Sequence, residues 1–176
     1  MKLSVLIPVY NEENTILKIL QRIEETKADN VSYEIIVIND GSTDNTKKIL
    51  DENSQYYSKL INSSSNRGKG YAIKEGIKVS SGEYIIFQDA DLEYDPSEFK
   101  KFIKISQDFN ADAIIRSRFV YSEYTRSHNY FNKIGNSILT FIFNILYNTT
   151  FTDVYSCYLC YKRSLVNFED LVTEGF

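Results

Sequence analysis

No stretch of this sequence reaches the roughly 18 uninterrupted apolar residues of a membrane-spanning helix. Basic charge is not in excess either. Lys and Arg number 20 against 24 Asp and Glu, a net charge of −4, which argues against nucleic-acid binding because that needs a basic surface. Cysteine and histidine are scarce. Cys157 and Cys160 make a single Cys-x-x-Cys, and the lone His128 cannot supply a second pair of zinc ligands. A redox pair normally opens a helix, whereas these two lie in a strand-like run, so inert free thiols are expected. There is no secretory leader pattern, since Met1-Lys2 leads straight into the strand-like run Leu3–Val9. Cytoplasm is therefore the default compartment. Repeats, low-complexity tracts and linkers are absent.

What is present fits a soluble globular domain: 43% hydrophobic and 25% charged residues in a chain of 176. Glu174-Gly175-Phe176 carries no terminating pattern and reads as an interrupted element. The expectation is one domain over 1–176, truncated at its C-terminus.

Strand-like and helix-like segments alternate. Leu3–Pro8, Glu34–Ile38, Lys59–Asn62, Tyr84–Phe87 and Ala113–Ile115 read as strands. Glu12–Lys27 carries Ile16, Leu17, Ile19, Leu20 and Ile23 at helical spacing, with Asn11 as its cap. Asp44–Asn53, opened by Ser42 or Thr43, and Gly70–Val79 are the next helices. Asp95-Pro96-Ser97-Glu98 is a helix start with a cap, a first-turn proline and a glutamate three residues on. Repeated β-α units imply an α/β fold with a mostly parallel sheet flanked by helices.

Ligands of open α/β sheets bind beyond the carboxyl ends of the strands, and polar clusters fall at three such ends. Pro8-Val9-Tyr10-Asn11-Glu12 follows the first strand. Asn39-Asp40-Gly41-Ser42-Thr43-Asp44 follows the second. Gln88-Asp89-Ala90-Asp91-Leu92-Glu93 follows Tyr84–Phe87. Asp89 and Asp91 suit a hard divalent cation with a diphosphate, because Mg²⁺ is typically held by one or two carboxylates plus phosphate oxygens. Glu93 could complete that shell, whereas Asp95 reads as the helix cap. Asp40 either accepts hydrogen bonds from a ribose or base, or caps the helix start at Ser42–Asp44. Tyr10 offers an aromatic face and Glu12 an acceptor for a nucleobase; packing and a favourable first-turn charge are their plainer roles. Asn66-Arg67-Gly68-Lys69-Gly70 is a basic loop before a helix, able to bring amides and positive charge to an anion. It lacks the spacing of a P-loop.

The C-terminal third differs. Arg116, Arg118, Arg126 and Lys133 form a loose basic series. Over Tyr130–Asn148, Phe131, Ile134, Ile138, Phe141, Ile142, Ile145 and Leu146 fit one helix face. This C-terminal amphipathic helix lies either in a core or at a membrane surface.

Together these motifs resemble family 2 of the glycosyltransferases, with the Rossmann-like GT-A fold. The carrying residues are Ile7-Pro8-Val9-Tyr10-Asn11-Glu12, Asp40-Gly41-Ser42-Thr43-Asp44, Asn66-Arg67-Gly68-Lys69-Gly70 and Gln88-Asp89-Ala90-Asp91. Ser117-Arg118-Phe119, Gly135-Asn136 with Leu139-Thr140, and Thr152-Asp153 with Ser156-Cys157-Tyr158 resemble the polyprenyl-phosphate branch, which includes dolichyl-phosphate mannose synthases. Leu159 and Glu93 stand where that branch often carries lysine and glutamine.

The resemblance implies that Pro8, Tyr10, Glu12, Ile38, Asp40, Asp89 and Ala90 hold a GDP- or UDP-linked sugar. It implies that Asp89, Asp91 and Glu93 surround Mg²⁺ or Mn²⁺, with Asp91 and Arg118 catalytic. Arg118 and Arg126 would meet the phosphate of a polyprenyl acceptor at the inner face of a membrane. The implied reaction is metal-dependent, inverting sugar transfer to a polyprenyl phosphate. One alternative is transfer to a sugar hydroxyl of a cell-surface polysaccharide, with Asp153 as the candidate base. Another is a non-catalytic nucleotide-binding module. A nucleotidyltransferase is less favoured, because a glycine-rich start after the first strand is missing.

Overall fold

The computed structural model describes residues 1–117, 130–167 and 171. Six strands form one sheet: β1 (Lys2–Val9), β2 (Ser32–Asn39), β3 (Lys59–Asn62), β4 (Tyr84–Phe87), β5 (Ala113–Ile115) and β6 (Leu159–Lys162), in the order β3-β2-β1-β4-β6-β5. β1 to β4 run parallel, and β6 is antiparallel to both its neighbours. The expected mostly parallel α/β sheet is thus present, and its sixth strand takes in Cys160 from the strand-like run around the two cysteines, while Cys157 lies just before it.

β1 and β2 are long apolar runs because both faces of a central parallel strand are covered. Leu3, Val5 and Ile7 of β1, with Ile35 and Val37 of β2, face one core. There they meet α1 (Ile16–Thr26), α2 (Thr46–Glu52) and α4 (Phe99–Phe109). Leu6, Ile36 and Ile38 face the other side, against Ala72 and Ile77 of α3 (Lys69–Val79). α3 lies close because Gly76 has no side chain: a Cβ there would stand 2.9 Å from Ile38 Cδ1.

Pro8 sits in a central strand without cost. Leu6 points its carbonyl towards β4, accepting from Gln88 N, and Pro8 shares that side. The β1–β4 register has already ended at Leu6 and Phe87, so no ladder bond needs the missing N–H.

At the amino end of the sheet, Glu34 is buried among hydrogen-bond donors. Its carboxylate accepts from Ser4 Oγ at 2.6 Å, Ser81 N at 2.7 Å, Ser81 Oγ at 2.8 Å and Lys59 Nζ at 3.0 Å. Burial works against its charge, but these bonds outweigh it and hold the carboxyl down at about 2.

Two helix starts differ from expectation. α1 begins at Ile16 rather than after Asn11, because Asn11 adopts a left-handed φ of 56° and gives its side chain to Thr43 N at 2.8 Å. α2 is opened by Asp44, whose Oδ1 accepts from Thr46 N at 2.9 Å, while Ser42 and Thr43 are engaged with Asn11. The start at Asp95 is as expected: its carboxylate accepts from Ser97 N, and a 3₁₀ turn over Pro96–Glu98 leads into α4.

The last helix, α5 (Tyr130–Tyr147), turns its apolar residues outward. Phe131 is 78% exposed, Phe141 65% and Leu146 72%, whereas Asn136 and Thr140 are buried. Asn136 Nδ2 donates to Asp153 Oδ1 at 2.9 Å, and Thr140 Oγ1 accepts from Val154 N. Among the described residues no helix is long and apolar enough to cross a membrane.

Candidate active site

The carboxyl ends of β1, β2 and β4 open into one pocket of about 320 Å³, within the range of small-molecule sites. Pro8, Tyr10 and Glu12 line it from the β1 end, Asp40 from β2, and Asp89, Ala90 and Asp91 from β4. The loop before α3 closes it with Asn66, Gly68 and Lys69. Three separated sequence clusters therefore converge as the parallel sheet requires. Ile38 does not reach the pocket; it is fully buried beneath it against Leu6 and Ala72. Glu93 is exposed and outside the lining, with its N–H on Asp91 Oδ1 at 2.9 Å. Arg118 and Arg126 lie outside the described residues.

Asp40 is 3% exposed. Its Oδ2 accepts from Arg67 N at 3.0 Å and Gly68 N at 2.7 Å. Neither bond goes to the Ser42–Asp44 helix start. Gly41 makes this possible: at φ 70° it brings the two loops so close that a Cβ would stand 2.4 Å from the Ser65 carbonyl carbon. Asp40 Oδ1 is buried and has no hydrogen-bond partner among the described residues. An unmet buried acceptor costs about 1–3 kcal/mol. Tyr10, 44% exposed, presents its ring at the same wall. After β2, Asp44 accepts from Thr46 N and from Glu13 N; burial opposes its charge, but these bonds draw the carboxyl below its usual range.

On the opposite wall, Asp89 Oδ1 is 2.5 Å from Lys69 Nζ. Asp91 is exposed, and its second carboxylate oxygen has no hydrogen-bond or ion-pair partner among the described residues. The acidic turn is held from behind by Gln88, which is fully buried. Gln88 Nε2 donates to Asp89 O at 3.0 Å and Tyr94 O at 2.9 Å. Buried Tyr158 donates to Asp95 O at 2.9 Å and stacks on Tyr94 with ring centroids 4.8 Å apart. That scaffold keeps Leu92 at a left-handed φ of 67°, a conformation that costs about 1–2 kcal/mol for a side chain of this kind.

The donor set suits a hard cation. Asp89 and Asp91 are two carboxylates lining one pocket, and Mg²⁺ or Mn²⁺ completes its shell with phosphate oxygens. Among the described residues no group of three or more His, Cys, Asp or Glu gathers at one point.

The family model described as "Glycosyl transferase family 2" matches residues 4–168. The chain belongs to this family. Among its relatives is the dolichol-phosphate mannosyltransferase of Pyrococcus furiosus, 35% identical over 121 residues, 68% of this chain and 34% of the relative. The undecaprenyl-phosphate 4-deoxy-4-formamido-L-arabinose transferase of Proteus mirabilis is 29% identical over 173 residues, 94% of this chain and 50% of the relative. Both names fall in the polyprenyl-phosphate branch that the later motifs resemble. Glucosyl-3-phosphoglycerate synthase of Mycobacterium tuberculosis, solved with Mn²⁺, uridine diphosphate and phosphoglyceric acid, shares the fold. Its TM-score is 0.70 at 18% identity, covering 93% of this chain and 56% of that one. The chain spans between 34% and 64% of the length of the relatives it matches.

Two features of this family-2 domain escaped sequence reasoning. The pairing of Lys69 with Asp89 joins residues on different loops, and neither neighbourhood signals the other. Tyr158 as support for the acidic turn carries no local signal either, since it comes from the residue just before β6, remote in sequence.

Proposed function

We propose that this domain binds a nucleoside diphosphate sugar in the pocket between Asp40 and Asp91 and transfers the sugar to a polyprenyl phosphate. The observation that carries the reading is the buried Asp40 Oδ1, unpartnered among the described residues, across the pocket from the Asp89–Asp91 turn. A base N–H or ribose hydroxyl satisfies the first, and a metal-bound diphosphate satisfies the second. Tyr10 offers its ring to the base. Asp91, with Asp89, would hold Mg²⁺ or Mn²⁺, which when bound neutralises charge on the departing diphosphate. Glu93 would have to turn inward to join them.

The acceptor phosphate attacks the anomeric carbon from the face opposite the donor diphosphate. The bond from that carbon to the β-phosphate oxygen breaks, and the nucleoside diphosphate leaves with the electron pair. A phosphate monoester has a second pKa of about 6 and is largely dianionic at neutral pH, so no base is required. Arg118 and Arg126 are assigned to the acceptor phosphate, a task suited to guanidinium. The outward apolar face of α5, which has Lys133 but no acidic residue, favours a lipid acceptor at the inner face of the membrane. Transfer to a sugar hydroxyl is less well supported, because its candidate base Asp153 is 1% exposed and bonded to Asn136.

The test is calorimetric titration with UDP, GDP and their sugar conjugates, with and without Mn²⁺, followed by transfer assays on polyprenyl phosphate. Metal-dependent binding of one nucleotide series and inverted transfer to the lipid phosphate are expected. Transfer to a free sugar but not to lipid phosphate refutes the acceptor assignment.

A further inference from the structure

The loop before α3 touches both walls of the pocket. Arg67 N and Gly68 N hold Asp40 on the nucleoside wall. The next residue, Lys69, reaches across to Asp89 Oδ1. The Lys69 and Asp89 side chains are 27% and 17% exposed, so their pairing is screened less than a surface ion pair. The backbone of the loop is pinned by Asp40, and the Lys69 ammonium, on its flexible stem, is the part able to move.

We infer that Lys69 is a resident counter-ion that holds Asp89 until a donor arrives and then moves from that carboxylate to the donor's diphosphate. The inference rests on the donor-site reading and adds to it a coupling between the two ligands. A divalent cation alone must compete with an ammonium already seated on one of its two carboxylates. A diphosphate entering the same pocket gives Lys69 another anion and frees Asp89. Cation and nucleotide therefore strengthen each other's binding, and by linkage the effect is reciprocal.

The experiment is a Mn²⁺ titration followed by electron paramagnetic resonance, with and without UDP or GDP, on the whole chain and on Lys69→Met and Lys69→Arg. Methionine keeps much of the stem and removes the charge; arginine keeps the charge. Lys69→Met is expected to take up Mn²⁺ alone about tenfold more tightly than wild type, within the usual range of coupling between sites, and to gain correspondingly less from nucleotide than wild type does. Lys69→Arg is expected to behave as wild type does, binding Mn²⁺ weakly alone and more tightly with nucleotide. If Lys69→Met binds Mn²⁺ alone no better than wild type, the counter-ion role is overturned. Nucleotide-dependent Mn²⁺ uptake by wild type in that case leaves the donor-site reading standing. No nucleotide binding by any of the three folded proteins overturns both.

Discussion

Replacing Glu34 by Gln should remove about 3 kcal/mol of stability at neutral pH and make part of the acid sensitivity disappear with it. The carboxyl is held at about 2 against an ordinary 4.5, and each unit of such a shift corresponds to about 1.4 kcal/mol. The folded-state value is depressed, so the stabilisation is fully present above the unfolded value near 4.5. It is lost as pH falls from there through about 2. Glutamine fits the space but brings an amide N–H₂ against donors from Ser81 and Lys59. Urea unfolding of wild type and variant at several pH values between 7 and 2.5 gives the test. The difference between the two should be largest at pH 7 and shrink towards the acid end. Taking the difference removes the other carboxylates, which titrate alike in both proteins. A difference that stays constant with pH would refute the argument, because it would mean that Glu34 contributes shape and not charge.

Asp91→Ala should abolish nucleotide-dependent Mn²⁺ binding while leaving the melting temperature within a few degrees, since the side chain is exposed; wild-type affinity for nucleotide with metal present would sink the metal assignment. Phe141→Ser with Leu146→Ser should weaken cosedimentation with anionic phospholipid vesicles without loss of stability, because both side chains already face outward; unchanged sedimentation would remove α5 from the membrane contact. A maleimide at pH 8 should label one thiol in the native protein and two after denaturation. Cys157 is exposed, whereas burial pushes the Cys160 thiol up to about 12; rapid labelling of both in the native state would contradict this placement.

Five strands were legible in the sequence, the half-exposed edge strands β3 and β5 as well as the covered central ones. β3, β4 and β5 match their expected limits residue for residue, and β1 and β2 extend theirs by one or two residues at each end. A central parallel strand announces itself as an apolar run, and its neighbours need not be known. The strand-like run around Cys157 and Cys160 hinted at β6, but its limits and its place between β4 and β5 follow from topology, not from pattern. Of the site, the three clusters at strand ends were readable because parallel topology alone brings them together. What each side chain does there was not, since the partners are remote in sequence. Asp40 stands out in the sequence beside a glycine turn, but the amides it meets come from Arg67 and Gly68, remote from that turn. Glu34 went unremarked as a buried charge. The available signal was a glutamate opening the apolar run Ile35–Ile38, opposite Ser4.

The insertion of β6 between β4 and β5 sets an order of events during synthesis. β1, β2 and β3 find one another within the first 62 residues, so the half of the pocket built around Asp40 can form early. The acidic turn is different: the Tyr158 hydroxyl that contacts Gln88 is 70 residues further along the chain, and contacts of such separation form slowly. A chain that ends before residue 158 has its acidic turn unbraced, and the cleft matures only when that late tyrosine is in place.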